Sequence, residues 1–152
     1  MQNVHLLGLD VLASRGSWEG PGPSQKLSVC VPYTTSVMTR VALKGVVALT
    51  RNLGAHVSLV AVQVVPFPLP LDRPAISPSF FEQELRTVVR GIEVPVDTQV
   101  IIARDREVGF DRAISPGSLV VLATRKRWWP TSQAKLARLL ARVGHSVALL
   151  EI

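Results

Sequence analysis

"SLVVLATRKRWWPTSQAKLARLLARVGHSVALLEI", residues 118–152, decides how the rest of the chain is read. An apolar run ends at Ala123, and three basic residues, Arg125, Lys126 and Arg127, follow almost at once. Trp128, Trp129 and Pro130 lead to a helix start at Thr131, where a hydroxyl can cap the first turn. The helix carries Leu136, Leu139, Leu140 and Val143 on one face and Lys135, Arg138 and Arg142 on the other, until Gly144 stops it. "SVALLEI" then reads as a strand. Strand, loop, helix and strand in this span make one crossover unit of a parallel sheet.

The same unit recurs upstream. "KLSVCV" from Lys26 is a short buried strand, followed by Met38, Val41, Ala42, Gly45, Ala48 and Leu49 at helical spacing, with Gly54 expected as the cap. "HVSLVAVQVV" is the second strand, and a loop with Pro66, Pro68, Pro70 and Pro74 follows it. Ser77 caps a helix with Pro78 at its first position and Phe81, Leu85, Val88 and Val89 as its stripe, ended by Gly91. "TQVIIA" is the third strand, and a short helix over Glu107–Ile114 runs into the breaker "SPG" before the fourth. The order is βαβαβαβαβ. Strands apolar on both faces and separated by helices predict a parallel sheet with right-handed crossovers and helices on both sides.

Residues 26–152 are thus expected to form one α/β domain. Residues 1–25 are a leader and linker: "SRGSWEGPGPSQ" is rich in Gly, Ser and Pro, while "VHLLGLDVL" is compatible with an added edge strand, a docking segment or a joint to something upstream. At 152 residues, 47% hydrophobic and 18% charged, the chain is long and apolar enough to bury a core, which excludes a disordered polyelectrolyte. No apolar run approaches the ~20 residues that span a bilayer. The first residues lack a basic n-region, so a secretory signal is not expected. Cys30 is the sole cysteine, which excludes an internal disulfide and a cysteine-based zinc site and suits a reducing compartment; the expected location is cytoplasmic. The net charge is +6, and six of the 17 basic residues follow position 124, so the excess is partly a solvated helix face.

Over residues 26–152 the chain resembles the universal stress protein family in element order, element lengths and a terminal strand directly after a basic amphipathic helix. The resemblance implies a three-layer sandwich, similar to the adenine nucleotide alpha hydrolase-like fold, with a five-stranded parallel sheet of order 3-2-1-4-5. It also implies a stress-response role and a homodimer formed through the last strand. The family's ATP-binding branch has an aspartate at the end of the first strand, where this chain has Pro32. Its motif after the fourth strand is glycine, two residues, glycine, nine residues, then glycine and a serine or threonine. Those positions fall here on Ala123, Lys126, Leu136 and Ala137. Glycines in such a loop let backbone N–H groups turn toward phosphate oxygens. Lys126, Trp128 and Trp129 do not readily form that nest, and Pro32 offers neither an N–H nor a carboxylate. ATP in the family's usual manner is not expected, so no cofactor is assigned, with ATP or AMP the alternative.

In a sheet of that order a ligand sits beyond the carboxyl ends of the first and fourth strands. The candidate nucleotide or anion-binding residues are therefore Tyr33, Thr34, Thr124, Arg125, Lys126, Thr131 and Ser132. Tyr33 would stack, and Arg125 and Lys126 would hold an anion in place of a glycine loop. The opposing expectation is a loop filled by its own side chains, its tryptophans covering apolar surface. Trp128 and Trp129 next to basic residues suit a protein contact. Neither nucleic acid nor membrane is expected as a partner, because only one such cluster exists and no nucleic-acid motif accompanies it.

Catalysis finds little support. His56 and His145 open strands and belong at the opposite end of the sheet, Cys30 reads as core, and no metal-ligand spacing occurs. Asp105, Glu107 and Asp111 read as loop and helix-start acids. A non-enzyme is expected. "SVALLEI" is apolar on both faces and should be an exposed edge, so Val147, Leu149 and Glu151 are the candidate homodimer interface, unless the leader covers that edge. The reading is a dimeric regulatory or interaction module; the alternative is a sensor of a nucleotide or other anionic small molecule.

Overall fold

Short aliphatic, β-branched runs form the strands, and a hydroxyl or carboxylate opens each helix. The computed structural model describes residues 3–7, 26–72, 74 and 76–152. In chain order the elements are β1 (Asn3–Leu7), β2 (Ser28–Pro32), α1 (Ser36–Thr50), β3 (His56–Val64) and α2 (Pro78–Val89). Then come β4 (Val96–Ala103), α3 (Arg106–Ala113), β5 (Leu119–Thr124), α4 (Ser132–Arg142) and β6 (Ser146–Glu151). The side chains of Thr35, Ser77, Asp105 and Thr131 accept hydrogen bonds from first-turn N–H groups, and Pro78 sits where a missing N–H costs nothing. Gly91 and Gly144 leave their helices at positive φ, as expected. Helix α1 stops earlier than Gly54 predicts, at Thr50: Arg51 already leaves helical geometry at ψ 125°, and Asn52 then turns to φ 68°.

Strands β2 to β6 form an all-parallel sheet in the spatial order β4-β3-β2-β5-β6, which is the expected 3-2-1-4-5 arrangement. Helices α1 and α2 cover one face, packing Leu43, Val46, Leu85 and Val88 on Val31, Leu59 and Val121. Helices α3 and α4 cover the other with Phe110, Ile114, Leu136 and Leu140. The result is a three-layer α/β sandwich. The inward face of α4 is Gln133, Leu136, Ala137 and Leu140; Leu139 is half-buried and Val143 exposed, so the expected stripe is rotated toward the N-terminal turn. Among the described residues no helix is long and apolar enough to cross a membrane.

The outer edge departs from expectation. Strand β1 pairs antiparallel with β6, Asn3 opposite Glu151 and Leu7 opposite Val147. Strand β6 is therefore flanked on both sides, by β5 and β1, and is not the open edge on which a dimer through Val147, Leu149 and Glu151 was expected. The leader itself satisfies the backbone groups that invited a partner. The linker reading of "SRGSWEGPGPSQ" lies outside the described residues.

One break in the sheet positions the site. Strands β2 and β5 are in register only at Val29–Leu119 and Cys30–Val120. The Tyr33 N–H donates to the Val60 carbonyl on the β3 side at 2.7 Å. Alternation along the strand then aims position 32 at β5, and proline has no N–H to give. Pairing ends there, and the two strands part where the chain order reverses.

Candidate functional site

Above that break lies a cleft of about 380 Å³. Thr35 and Met38 border it from the start of α1, and Thr131, Ser132 and Gln133 from the start of α4. Arg125, Arg127, Trp129 and Pro130 of the intervening loop complete it. Two helix N-termini, each with residual positive partial charge, thus share one opening with two guanidinium groups. Among the described residues neither arginine makes an ion pair. Among the described residues the lining contains no carboxylate, imidazole or thiol. Such a surface is electrostatically complementary to an anion.

The sequence-predicted residues divide. Arg125, Thr131 and Ser132 line the cleft. Thr124 lies beneath it, 2% exposed, its hydroxyl hydrogen-bonded to that of Thr131. This link ties the end of β5 to the cap of α4, where Thr131 Oγ1 also accepts from the Ala134 N–H at 3.1 Å. The Thr34 N–H is held by Thr39 Oγ1 at 3.1 Å. Lys126 is outside the cleft, and its N–H donates to the Ile152 carbonyl at 2.9 Å, prolonging the β5–β6 ladder. Tyr33 does not stack there either. It packs toward the α1–α2 face and donates its hydroxyl to Glu84 Oε2 at 2.7 Å. Burial, and then the Glu84 carboxylate, push the phenol up to about 12. Sequence reasoning missed Thr35, Arg127, Trp129 and Gln133; the cap position of Thr35 and the alternation of Arg125 with Arg127 were the available signals.

The tryptophans do not cover apolar surface. Trp128 is 96% exposed and Trp129 76%, so the loop is not filled by its own side chains as expected.

At the amino end of the sheet the histidines sit where the pattern put them. His56 Nε2 lies 3.2 Å from Asp97, and His145 Nε2 lies 2.8 Å from Asp111. A second, smaller cavity of about 250 Å³ lies beside His56, lined mainly by Ser28, Ser58, Asp97, Gln99 and Ser118. Ser118 Oγ donates to Ser28 Oγ at 3.1 Å, which closes part of its polar wall. Cys30 is a free, buried cysteine, and burial pushes its thiol up to about 11, against a small opposing contribution from Ser58. It stays a protonated core thiol at neutral pH. No group of three or more potential metal ligands occurs among the described residues.

No protein-family model matches the chain, and no curated protein matches it either.

Proposed function

We propose that this chain is a non-enzymatic regulatory module whose switch-point cleft holds an anionic small molecule with arginine side chains. The reading keeps the universal-stress-protein-like view of the domain but not that family's glycine-loop mode of binding ATP. One observation carries it: Arg125 and Arg127 converge on the cleft beside the first turns of α1 and α4. A guanidinium presents a rigid fork of donors that matches two phosphate oxygens, and it does so without the backbone nest that glycines allow.

The usual ATP seat does not fit these residues. Pro32 replaces a ribose-binding carboxylate, the Lys126 N–H is committed to Ile152, and Ala123 and Leu136 are buried in the core. The described lining is made of arginine, hydroxyl, amide and apolar side chains, which suits holding an anion. A ligand gripped by Arg125 and Arg127 would order the loop that joins β5 to α4, which gives a regulator something to change.

Thermal-shift titration with inorganic phosphate, AMP, ATP and cyclic dinucleotides tests this. At least one of them is expected to raise Tm by mass action. Arg125→Ala and Arg127→Ala should each weaken it by roughly 1.5–3 kcal/mol, the worth of a charge-assisted hydrogen bond. A magnesium-ATP shift that survives both substitutions together would refute the proposal.

A further inference from the structure

Two loops leave the carboxyl end of the sheet with their apolar side chains outward. The β5–α4 loop shows Trp128 and Trp129. The β3–α2 loop shows Phe67, 78% exposed, with Leu69, Leu71 and Ile76 also exposed. Strands β3 and β5 flank β2, so both loops rise from the same end of the sheet, on either side of β2.

The second loop is held in this posture. The Arg104 guanidinium donates to the carbonyls of Val65, Pro66 and Leu69 and stacks 4.2 Å from the Phe67 ring centroid. Gln63 Nε2 donates to the Ile76 carbonyl at 2.6 Å. The loop's polar backbone is turned inward and its apolar side chains face water. Around these side chains the charge is mainly positive: Arg125, Lys126 and Arg127 are exposed, and Asp72 is the one acid in either loop.

We infer that this end of the molecule docks on an anionic lipid bilayer. Indoles and a phenyl ring seat at the headgroup boundary, and neighbouring basic groups meet lipid phosphates. The shape of the patch favours a bilayer over a protein or a nucleic acid. Trp128 touches almost nothing of its own chain and projects as a spike, whereas a protein partner requires a matching pocket. Single-stranded nucleic acid requires stacking platforms along a basic groove. A bilayer accepts separate spikes without shape complementarity. Phe67, Lys126 and Trp128 are outside the cleft lining, so what they contribute to the inference does not rest on what fills the cleft.

The test is co-sedimentation of the full chain with phosphatidylcholine vesicles and with vesicles enriched in phosphatidylserine, at low and high salt. Binding is expected only to the anionic vesicles and should weaken with salt. Indole emission should shift to the blue and be quenched by brominated acyl chains, and Trp128→Phe with Trp129→Phe should remove that quenching while Trp18 still emits. Trp128→Ser with Trp129→Ser, and separately Phe67→Ser, should weaken partitioning about tenfold or more. Lys126→Ser should weaken it about fivefold. These residues are exposed, and unchanged far-ultraviolet circular dichroism will confirm that the variants fold. The inference is overturned by lack of binding to anionic vesicles at low salt, or by binding without indole quenching. Tighter binding of polyglutamate or a single-stranded oligonucleotide than of the vesicles also overturns it, because the partner is then a soluble polyanion.

Discussion

Thr131→Ala is expected to destabilise the domain by about 2 kcal/mol, half of it through Thr124. Thr131 Oγ1 accepts the Ala134 N–H at 3.1 Å, and loss of such a cap costs about 1 kcal/mol. The same oxygen is hydrogen-bonded to the Thr124 hydroxyl, whose other partner is the Arg125 carbonyl at a long 3.4 Å. Thr124 is 2% exposed, so water cannot replace Thr131, and the weakened hydroxyl adds about 1 kcal/mol. For a domain of this size the total lowers Tm by about 4–8 °C. Urea and thermal unfolding followed by circular dichroism measure it. Thr131→Ser should stay near wild type. In a Thr124→Val background Thr131→Ala should cost only the cap, leaving a coupling of about 1 kcal/mol. A cycle with no coupling, or a serine variant as unstable as the alanine one, means that the two threonines do not clasp the loop together.

Two further outcomes follow from burial and from the edge pairing. Cys30 titrates near 9.0 when unfolded and near 11 when folded, so above pH 9 the unfolded chain releases a proton that the folded one keeps. Stability attributable to Cys30 is present below pH 9 and should fall by roughly 2–3 kcal/mol as the pH approaches 11. Urea titrations of wild type and Cys30→Ala across that window should show a flatter slope for the variant; equal slopes would remove the thiol from the account. Deleting residues 1–7 uncovers the side of β6 that β1 occupies. Sedimentation velocity should then show stronger self-association than the full chain, and a folded truncated chain that associates no more strongly would mean that this apolar edge is not sticky.

The alternation of strands and helices was legible because most helix ends have a local chemical marker. Thr131, Ser77 with Pro78, Gly91 and Gly144 all act where they stand in sequence. The face of α4 was misjudged because Leu139 and Val143 outweigh Ala137 and Gln133 in hydropathy. The helix approaches the sheet through small Ala137 and Gln133, whose placement no propensity scale contains. Tyr33 was assigned to the cleft by proximity to the strand end. Its direction depends on Glu84, 51 positions away, and on which neighbour accepts its N–H. The apolar pattern of β6 was itself that of an interior strand; it was read as an open edge because five strands were counted and the leader entered only as the alternative cover. Exposure of Trp128 was not legible, since a tryptophan's default is burial and only the lack of anything packed above it says otherwise.

The pairing of Asn3–Leu7 with Ser146–Glu151 joins two strands that lie far apart in sequence. A nascent chain therefore carries Asn3–Leu7 without this mate until Ser146–Glu151 has been made, so the pairing is a late, long-range step in completing the sheet.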